Sequence, residues 1–232
     1  MKRTFLGTIF TLTFCLFTTI GFSQSKEIKI EFLGNCGLYL TDGTTNIYTD
    51  FPYKSGGHGY MEFDESELDS IKENSIFIFT HKHSDHYSDK NIKKVIKEKG
   101  GKKYGSWNIE ELKNLEKSVP NFSIQVFKTK HKWSSKHYSY LITWHNKKIF
   151  LSGDTESAET IGTIKNIDWA FVPYWILLDA KENDIKIDSK MFGVYHLATV
   201  QIPSAKENYE EIENIKPIII QGEIITIELK TE

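Results

Sequence analysis

The chain has 232 residues, 39% hydrophobic and 26% charged, with a formal charge of −2. That composition suits one globular domain with a sizeable core, and no internal repeat or low-complexity linker divides it. Nothing in it forms a basic patch, which argues against nucleic acid as a partner, and neither a P-loop nor a Gly-x-Ser-x-Gly nucleophile elbow occurs.

The N-terminus differs from the rest. Met1-Lys2-Arg3 is basic, residues 5–17 are almost wholly apolar or Thr, and Gly21-Phe22-Ser23 is a plausible cleavage site. This order predicts a secretory signal peptide over residues 1–23. The apolar stretch is short for a membrane span, so residues 24–232 are expected as an exported species, periplasmic or secreted, with no stable membrane anchor. Loss of Lys2 and Arg3 moves the formal charge from −2 to −4. Cys36 is then the one cysteine left, and no disulfide can form within one mature chain. It follows Gly34-Asn35 at a strand end with no activating group nearby in sequence, so it is assigned to packing.

Residues 27–33 alternate Ile28, Ile30 and Phe32 against Lys29 and Glu31, a half-buried strand. Strands over 38–40 and 46–49 follow, joined through Asp42-Gly43, a strong hairpin signal. Residues 53–60 form a glycine-containing loop whose His58 is expected in solvent. Residues 76–79 read as a buried strand. Ser88 caps a helix over 89–99 with Ile92, Val95 and Ile96 as its stripe, and Gly100-Gly101 ends it. A short strand over 102–104 and a helix over 109–117 precede Pro120. The second half reads as strands 122–128, 138–144 and 148–151, a short helix over 156–164, and strand 167–173. Then come His196 after 192–195, a helix from Ser204 to about 214, and closing strands 217–221 and 223–228. A loop is expected at 132–136, His137 as a half-exposed strand residue ahead of a substrate-side hydrogen bonder, and His145 exposed in a hairpin turn. Trp133, Tyr174 and Trp175 follow strand ends; they suit either pocket walls or ordinary core and rim packing.

The stretch that organises the chain is His81-Lys82-His83-Ser84-Asp85-His86. Four potential ligands leave the C-terminal end of strand 76–79 on a loop. Imidazole nitrogens and carboxylate oxygens suit zinc, and also iron or manganese. His81 and His83 alternate and can point one way, while Asp85 and His86 turn toward a neighbouring point. That division suits two metals better than one.

His-x-His-x-Asp-His resembles the signature of the metallo-β-lactamase fold superfamily, and further residues follow in order at strand ends: His131, then Asp154 in Ser152-Gly153-Asp154, then His196. The resemblance runs from about residue 28 to the C-terminus, including Leu33-Gly34 and Asp50-Phe51-Pro52. It looks most like the metal-dependent hydrolase branch that includes sugar-phosphate lactonases. It implies a four-layer αββα sandwich of two mixed sheets with outer helices. By resemblance, one metal takes His81, His83 and His131, a second takes Asp85, His86 and His196, and Asp154 bridges them. A hydroxide shared between two divalent ions, zinc first and manganese or iron as alternatives, roughly 3.5–4 Å apart, is then the nucleophile. Asp85 is its orienting catalytic residue. Relatives have an Asp-Pro pair where Phe51 is inserted here, so Asp50 reads either as an acceptor behind a metal-bound histidine or as a turn residue before proline.

The function implied is an exported dinuclear hydrolase of a small-molecule lactone, ester or phosphoester. A β-lactamase is the first alternative, but those enzymes commonly carry cysteine at the place of Asp154 and lack a ligand equivalent to His86. A non-catalytic metal-binding module is the second, yet no ligand is lost. A nuclease relative shares the motif; export and acidic charge weigh against it.

Overall fold

In the computed structural model, residues 27–56, 59–209 and 212–229 are described. The expected signal at residues 1–23 and His58 lie outside them. The first half runs β1 (Glu27–Gly34), β2 (Gly37–Thr41), β3 (Asn46–Thr49), α1 (Glu67–Ser70), β4 (Ile76–Ile78), α2 (Asp89–Lys99), β5 (Lys102–Tyr104) and α3 (Ile109–Lys113). The second runs β6 (Phe122–His131), β7 (Ser134–Trp144), β8 (Lys147–Leu151), α4 (Glu159–Gly162), β9 (Ile167–Pro173), α5 (Tyr174–Glu182), β10 (Ser189–Tyr195), α6 (Ile202–Tyr209), β11 (Ile215–Pro217) and β12 (Ile224–Glu228).

These strands make two six-stranded sheets, β12-β1-β2-β3-β4-β5 and β11-β10-β9-β8-β7-β6. Both are mixed: hairpin-linked strands pair antiparallel, whereas β3–β4–β5 and β8–β9–β10–β11 are parallel. The alternating residues do what their period requires. Ile28, Ile30, Leu38 and Leu40 of the first sheet pack against Tyr140, Ile142, Trp144 and Leu151 of the second. Each such buried side chain contributes roughly 1.5–3 kcal/mol. The first sheet's outer face, with Phe77, is covered by Ile92 and Val95 of α2. The second sheet's outer face is covered by Ile161 of α4 and Ile176 of α5. The layers are therefore helix, sheet, sheet, helix. Among the described residues, no helix is long and apolar enough to cross a membrane.

Local signals act as expected at several joints. Ser88 accepts from the Asn91 N–H at the start of α2. His145 and Asn146 both take positive φ, 47° and 63°, in the turn between β7 and β8, the backbone that such a tight hairpin needs.

Two of these expectations are corrected here, and one helix is additional to them. The loop at 132–136 is only a two-residue turn, because β7 begins at Ser134 paired with His131. Trp133 takes a φ of 69° there, a role no glycine or asparagine announces. Helix α5 starts directly after β9 on Pro173, with no side-chain cap, so neither a capping residue nor a polar face marks it in the sequence. The last helix begins at Ile202, before Ser204.

Candidate metal centre

One end of the sandwich collects loops from both sheets. From the first, β4 leads through Thr80 into residues 81–86. From the second, β6 ends on His131, β8 is followed by Ser152-Gly153-Asp154, and β10 by His196. All seven residues singled out in the sequence meet here.

They form two groups. In one, His83 Nδ1 and His131 Nε2 lie 3.1 Å apart. Asp154 Oδ2 is 3.7 Å from His81 Nε2 and 3.8 Å from His131 Nε2. In the other, His86 Nε2 and His196 Nε2 are 3.2 Å apart. Asp154 Oδ1 lies 2.8 Å from the first and 3.1 Å from the second, and Asp85 Oδ2 is 3.7 and 3.4 Å from them. Asp154 thus turns a different oxygen to each group. Ligand atoms of His81, His83, His131 and Asp154 lie within 4.8 Å of one another, a set suited to a divalent metal.

Cys36 adds something the sequence did not reveal. It is a core residue, as its packing assignment requires. Its sulfur also comes within 4.8 Å of the ligand atoms of His86, Asp154 and His196. Burial pushes its thiol well up, and Asp154, Asp50 and Asp85 add to the shift. Cys36 and the Asp85 carboxylate thus both border the second group.

The polar atoms fit a cation. His86 and Asp50 are joined through Nδ1 and Oδ2 at 2.9 Å. With the proton on Nδ1, the bare Nε2 of His86 faces Asp154 Oδ1 at 2.8 Å, a distance that needs a proton or a cation between them. His81 Nε2, Asp154 Oδ1, and Nδ1 of His131 and of His196 are buried without a hydrogen-bond partner among the described residues. Asp50, Asp85 and Asp154 are all buried, and their ion-pair partners among the described residues are histidines. Three carboxylates in so dry a place demand positive charge. Burial opposes charge on His86 and His196, yet the neighbouring carboxylates hold both above the ordinary histidine range. Burial likewise opposes ionisation of Asp154, but His196 and His86 hold its carboxyl well below the usual range. Buried His81 is driven down, by desolvation first and then by His86.

A second ring of residues fixes these side chains. Of the two readings open for Asp50, the acceptor is the one realised. It takes hydrogen bonds from the Thr80 N–H and hydroxyl, each 2.8 Å, besides contacting His86. The Asn35 side-chain amide donates to the Asp85 carbonyl at 2.6 Å, and the Asn35 carbonyl accepts from the His196 N–H. His196 has a φ of 57°, an uncommon conformation that this bond helps hold.

His137 is not half-exposed: it is fully buried. Its Nε2 accepts from the Asp154 N–H at 2.9 Å. Ser139 gives its one proton to the Ser152 carbonyl, 2.7 Å away, so Thr129 must donate to Ser139 across 3.1 Å. The Thr129 oxygen then accepts from His137 Nδ1–H at 2.8 Å. The chain of donors has one consistent direction and fixes a neutral tautomer; burial lowers the His137 pKa to about 3. Gly153 makes this approach possible. Its φ is +56°, and a Cβ there would lie 2.7 Å from His137 Nε2. The sequence signal was the polar pair Thr129 and His137, opposite one another in β6 and β7.

A cavity of about 460 Å³ opens over His131, Asp154 and His196, with Tyr60, Glu156 and Trp175 around it. The rings of Tyr60 and Trp175 stand 4.3 and 5.3 Å from the His196 ring, and the Trp175 indole N–H donates to the Thr155 carbonyl. Trp175 is thus a pocket wall. A slightly larger cavity, about 480 Å³, between α5 and α6 contains none of the seven residues.

No protein-family model matches the chain, and no curated protein matches it. Solved structures do. Igni18, a metallo hydrolase from the hyperthermophilic archaeon Ignicoccus hospitalis KIN4/I, superposes with a TM-score of 0.64 at 17% identity, over 88% of this chain and 100% of that one. The metallo-β-lactamase fold protein YhfI from Bacillus subtilis gives 0.57 at 14% identity, over 87% and 99%. CmlA, a diiron β-hydroxylase from Streptomyces venezuelae, gives 0.58 at 11% identity, over 88% of this chain and 54% of its own. At such identities the likeness is one of fold. Two mixed sheets between helix layers, superposing on these proteins, give this chain the metallo-β-lactamase fold.

Proposed function

We propose that the chain is a dinuclear metal-dependent hydrolase acting on a small lactone, ester or phosphoester. One observation carries the reading: Asp154 faces two separate groups of ligand atoms with its two oxygens. His81, His83 and His131 would hold one divalent ion, Asp85, His86 and His196 the other, and Asp154 both. Zinc suits this set, as do manganese and iron. Such ions acidify water and polarise a carbonyl or phosphoryl oxygen.

The residues of the chain supply the rest. The Asp85 carboxylate stands 3.4 Å from His196 Nε2 and 3.7 Å from His86 Nε2, at the edge of the second group. It is therefore a hydrogen-bond acceptor able to orient an attacking water. Tyr60 and Trp175 cover the His196 side, so substrate approaches over His131 and Asp154. Cys36 is buried and does not line the cavity over His131 and Asp154, which supports water over a side-chain nucleophile.

The test is a screen of lactones, esters, phosphodiesters and β-lactams with zinc-, manganese- and iron-loaded protein. Turnover of a lactone, ester or phosphoester, depressed in Asp85→Asn even where metal is retained, is expected. Full turnover in Asp85→Asn contradicts the role given to Asp85, and turnover confined to β-lactams favours the lactamase reading. The CmlA likeness makes iron-dependent oxidation a second outcome to score. Export through a cleaved signal belongs to the same proposal, supported by the basic, apolar and small order of residues 1–23. N-terminal sequencing of protein from its source cell should start near Gln24; an intact Met1 in a membrane fraction contradicts it.

A further inference from the structure

Beside the ligand cluster, on the His83 side, lies a cavity of about 350 Å³. Its walls include Trp107 and Trp133, and its polar groups are Lys82, Lys136, Ser106, Ser134 and Ser135, with His83 also lining it. No acidic residue lines it.

Among the described residues, neither Lys82 nor Lys136 has a carboxylate partner, whereas Lys103 nearby contacts Asp89. The Lys82 ammonium stands 4.7 Å from the Trp107 ring centroid and 5.8 Å from that of Tyr87, rings that Lys103 also faces at 6.0 and 5.4 Å. An aromatic face positions an ammonium without cancelling its charge. Trp133 is 86% exposed at the tip of the β6–β7 turn, an unusual place for so large an apolar surface. Its carbonyl is 3.4 Å from His83 Nε2, so the turn that carries it is fixed against the ligand cluster.

We propose that this cavity is the specificity subsite of the hydrolase and takes an anionic group of the substrate, a phosphate or a carboxylate. Lys82 and Lys136 supply the charge, and the serine hydroxyls supply further donors. Trp107 and Trp133 flank the adjoining part of the substrate, while its scissile bond lies over Asp154. Lysines act as point charges and do not demand the planar, two-pronged geometry of a guanidinium, so either anion fits. The inference rests on the hydrolase reading for its name, but the binding it predicts does not depend on turnover.

The test is equilibrium binding of phenyl phosphate, phenylacetate and neutral benzyl alcohol, followed by tryptophan fluorescence. It uses full-length protein as isolated, with metal content measured for every variant. The wild type should bind one or both anions more tightly than the alcohol, and added salt should weaken the binding. The tighter anion identifies the group. Lys82→Gln and Lys136→Gln should each weaken it about fivefold, and the double variant more than tenfold, within the range for partly exposed charge pairs. Lys97→Gln, on the exposed face of α2, should change nothing. An anion held only by the metals would bind the double variant as well as wild type at equal metal content, and that overturns the proposal. Equal binding of benzyl alcohol overturns it too. Should Lys82→Gln disturb the adjoining ligands and lower metal content, Lys136→Gln alone decides. Absence of hydrolysis with anion binding intact would break the hydrolase reading and leave this site standing.

Discussion

Histidine meets aspartate at both ends of the sandwich, and the two contacts have opposite character. At the far end His145, in the β7–β8 turn, meets Asp42, in the β2–β3 turn, at 2.9 Å. At the ligand end His131 meets Asp154 at 3.8 Å. The side chains are equally dry: 14% and 6% exposed at the far end, 13% and 6% at the ligand end. Burial therefore does not separate them. Hydrogen bonding does. Asp42 also accepts from the N–H groups of Thr44 and Thr45 and from the Thr44 hydroxyl, while His145 Nδ1 faces the Asn121 amide. At the ligand end three carboxylates crowd together and four polar atoms have no partner. A satisfied pair holds a fold; an unsatisfied, convergent cluster is built for something else to bind.

The largest effects should come from the shared carboxylate. Asp154→Asn should lower activity by more than the roughly 10–100-fold that loss of an outer partner costs. Added zinc should raise the thermal midpoint of wild type and raise that of Asp154→Asn far less. An equal rise in both would mean that Asp154 is a structural residue like Asp42. Asp50→Ala comes next. It removes the acceptor behind His86, and metal affinity or activity should drop roughly 10–100-fold. His137→Phe leaves the Asp154 N–H buried and unpaired, which costs about 1–3 kcal/mol in a denaturant titration. His137→Gln, able to accept that bond, should recover part of both stability and turnover.

The smallest effect belongs to the far end. Asp42→Asn should cost about 1.5–3 kcal/mol, the size of a hydrogen bond to a charged group, and leave turnover unchanged. Burial raises the Asp42 pKa, but bonds from Thr45, His145 and Thr44 outweigh this and hold it below the usual carboxylate value. Its contribution is therefore full above about pH 4, the unfolded value, and is lost as pH falls through the lower folded value. Stability of wild type and Asp42→Asn should converge below pH 4; a constant gap would contradict the pairing.

Much of this was legible in the sequence. Seven ligand candidates stood at strand ends in order, and alternation over 27–33 and in β7 gave the strands. What was hidden depended on contacts distant in sequence. His137 looked half-exposed because alternation alone does not show that helices and loops cover both faces of β7. His145 looked solvent-facing because its partner Asp42 lies 103 positions away. Asn35, which ties the Asp85 and His196 loops together, follows a strand as any turn residue does. Helix α5 lacks a cap and a polar face, the two marks by which a helix is read.

The central claim is that Asp154 is shared by two metal ions, and metal stoichiometry tests it most directly. Wild-type protein and Asp154→Ala, each stripped with chelator and re-equilibrated with zinc, should be compared by elemental analysis after gel filtration. Two ions per wild-type chain and fewer than one per Asp154→Ala chain are the predicted result. One ion or none in the wild type, or two retained in Asp154→Ala, would contradict it.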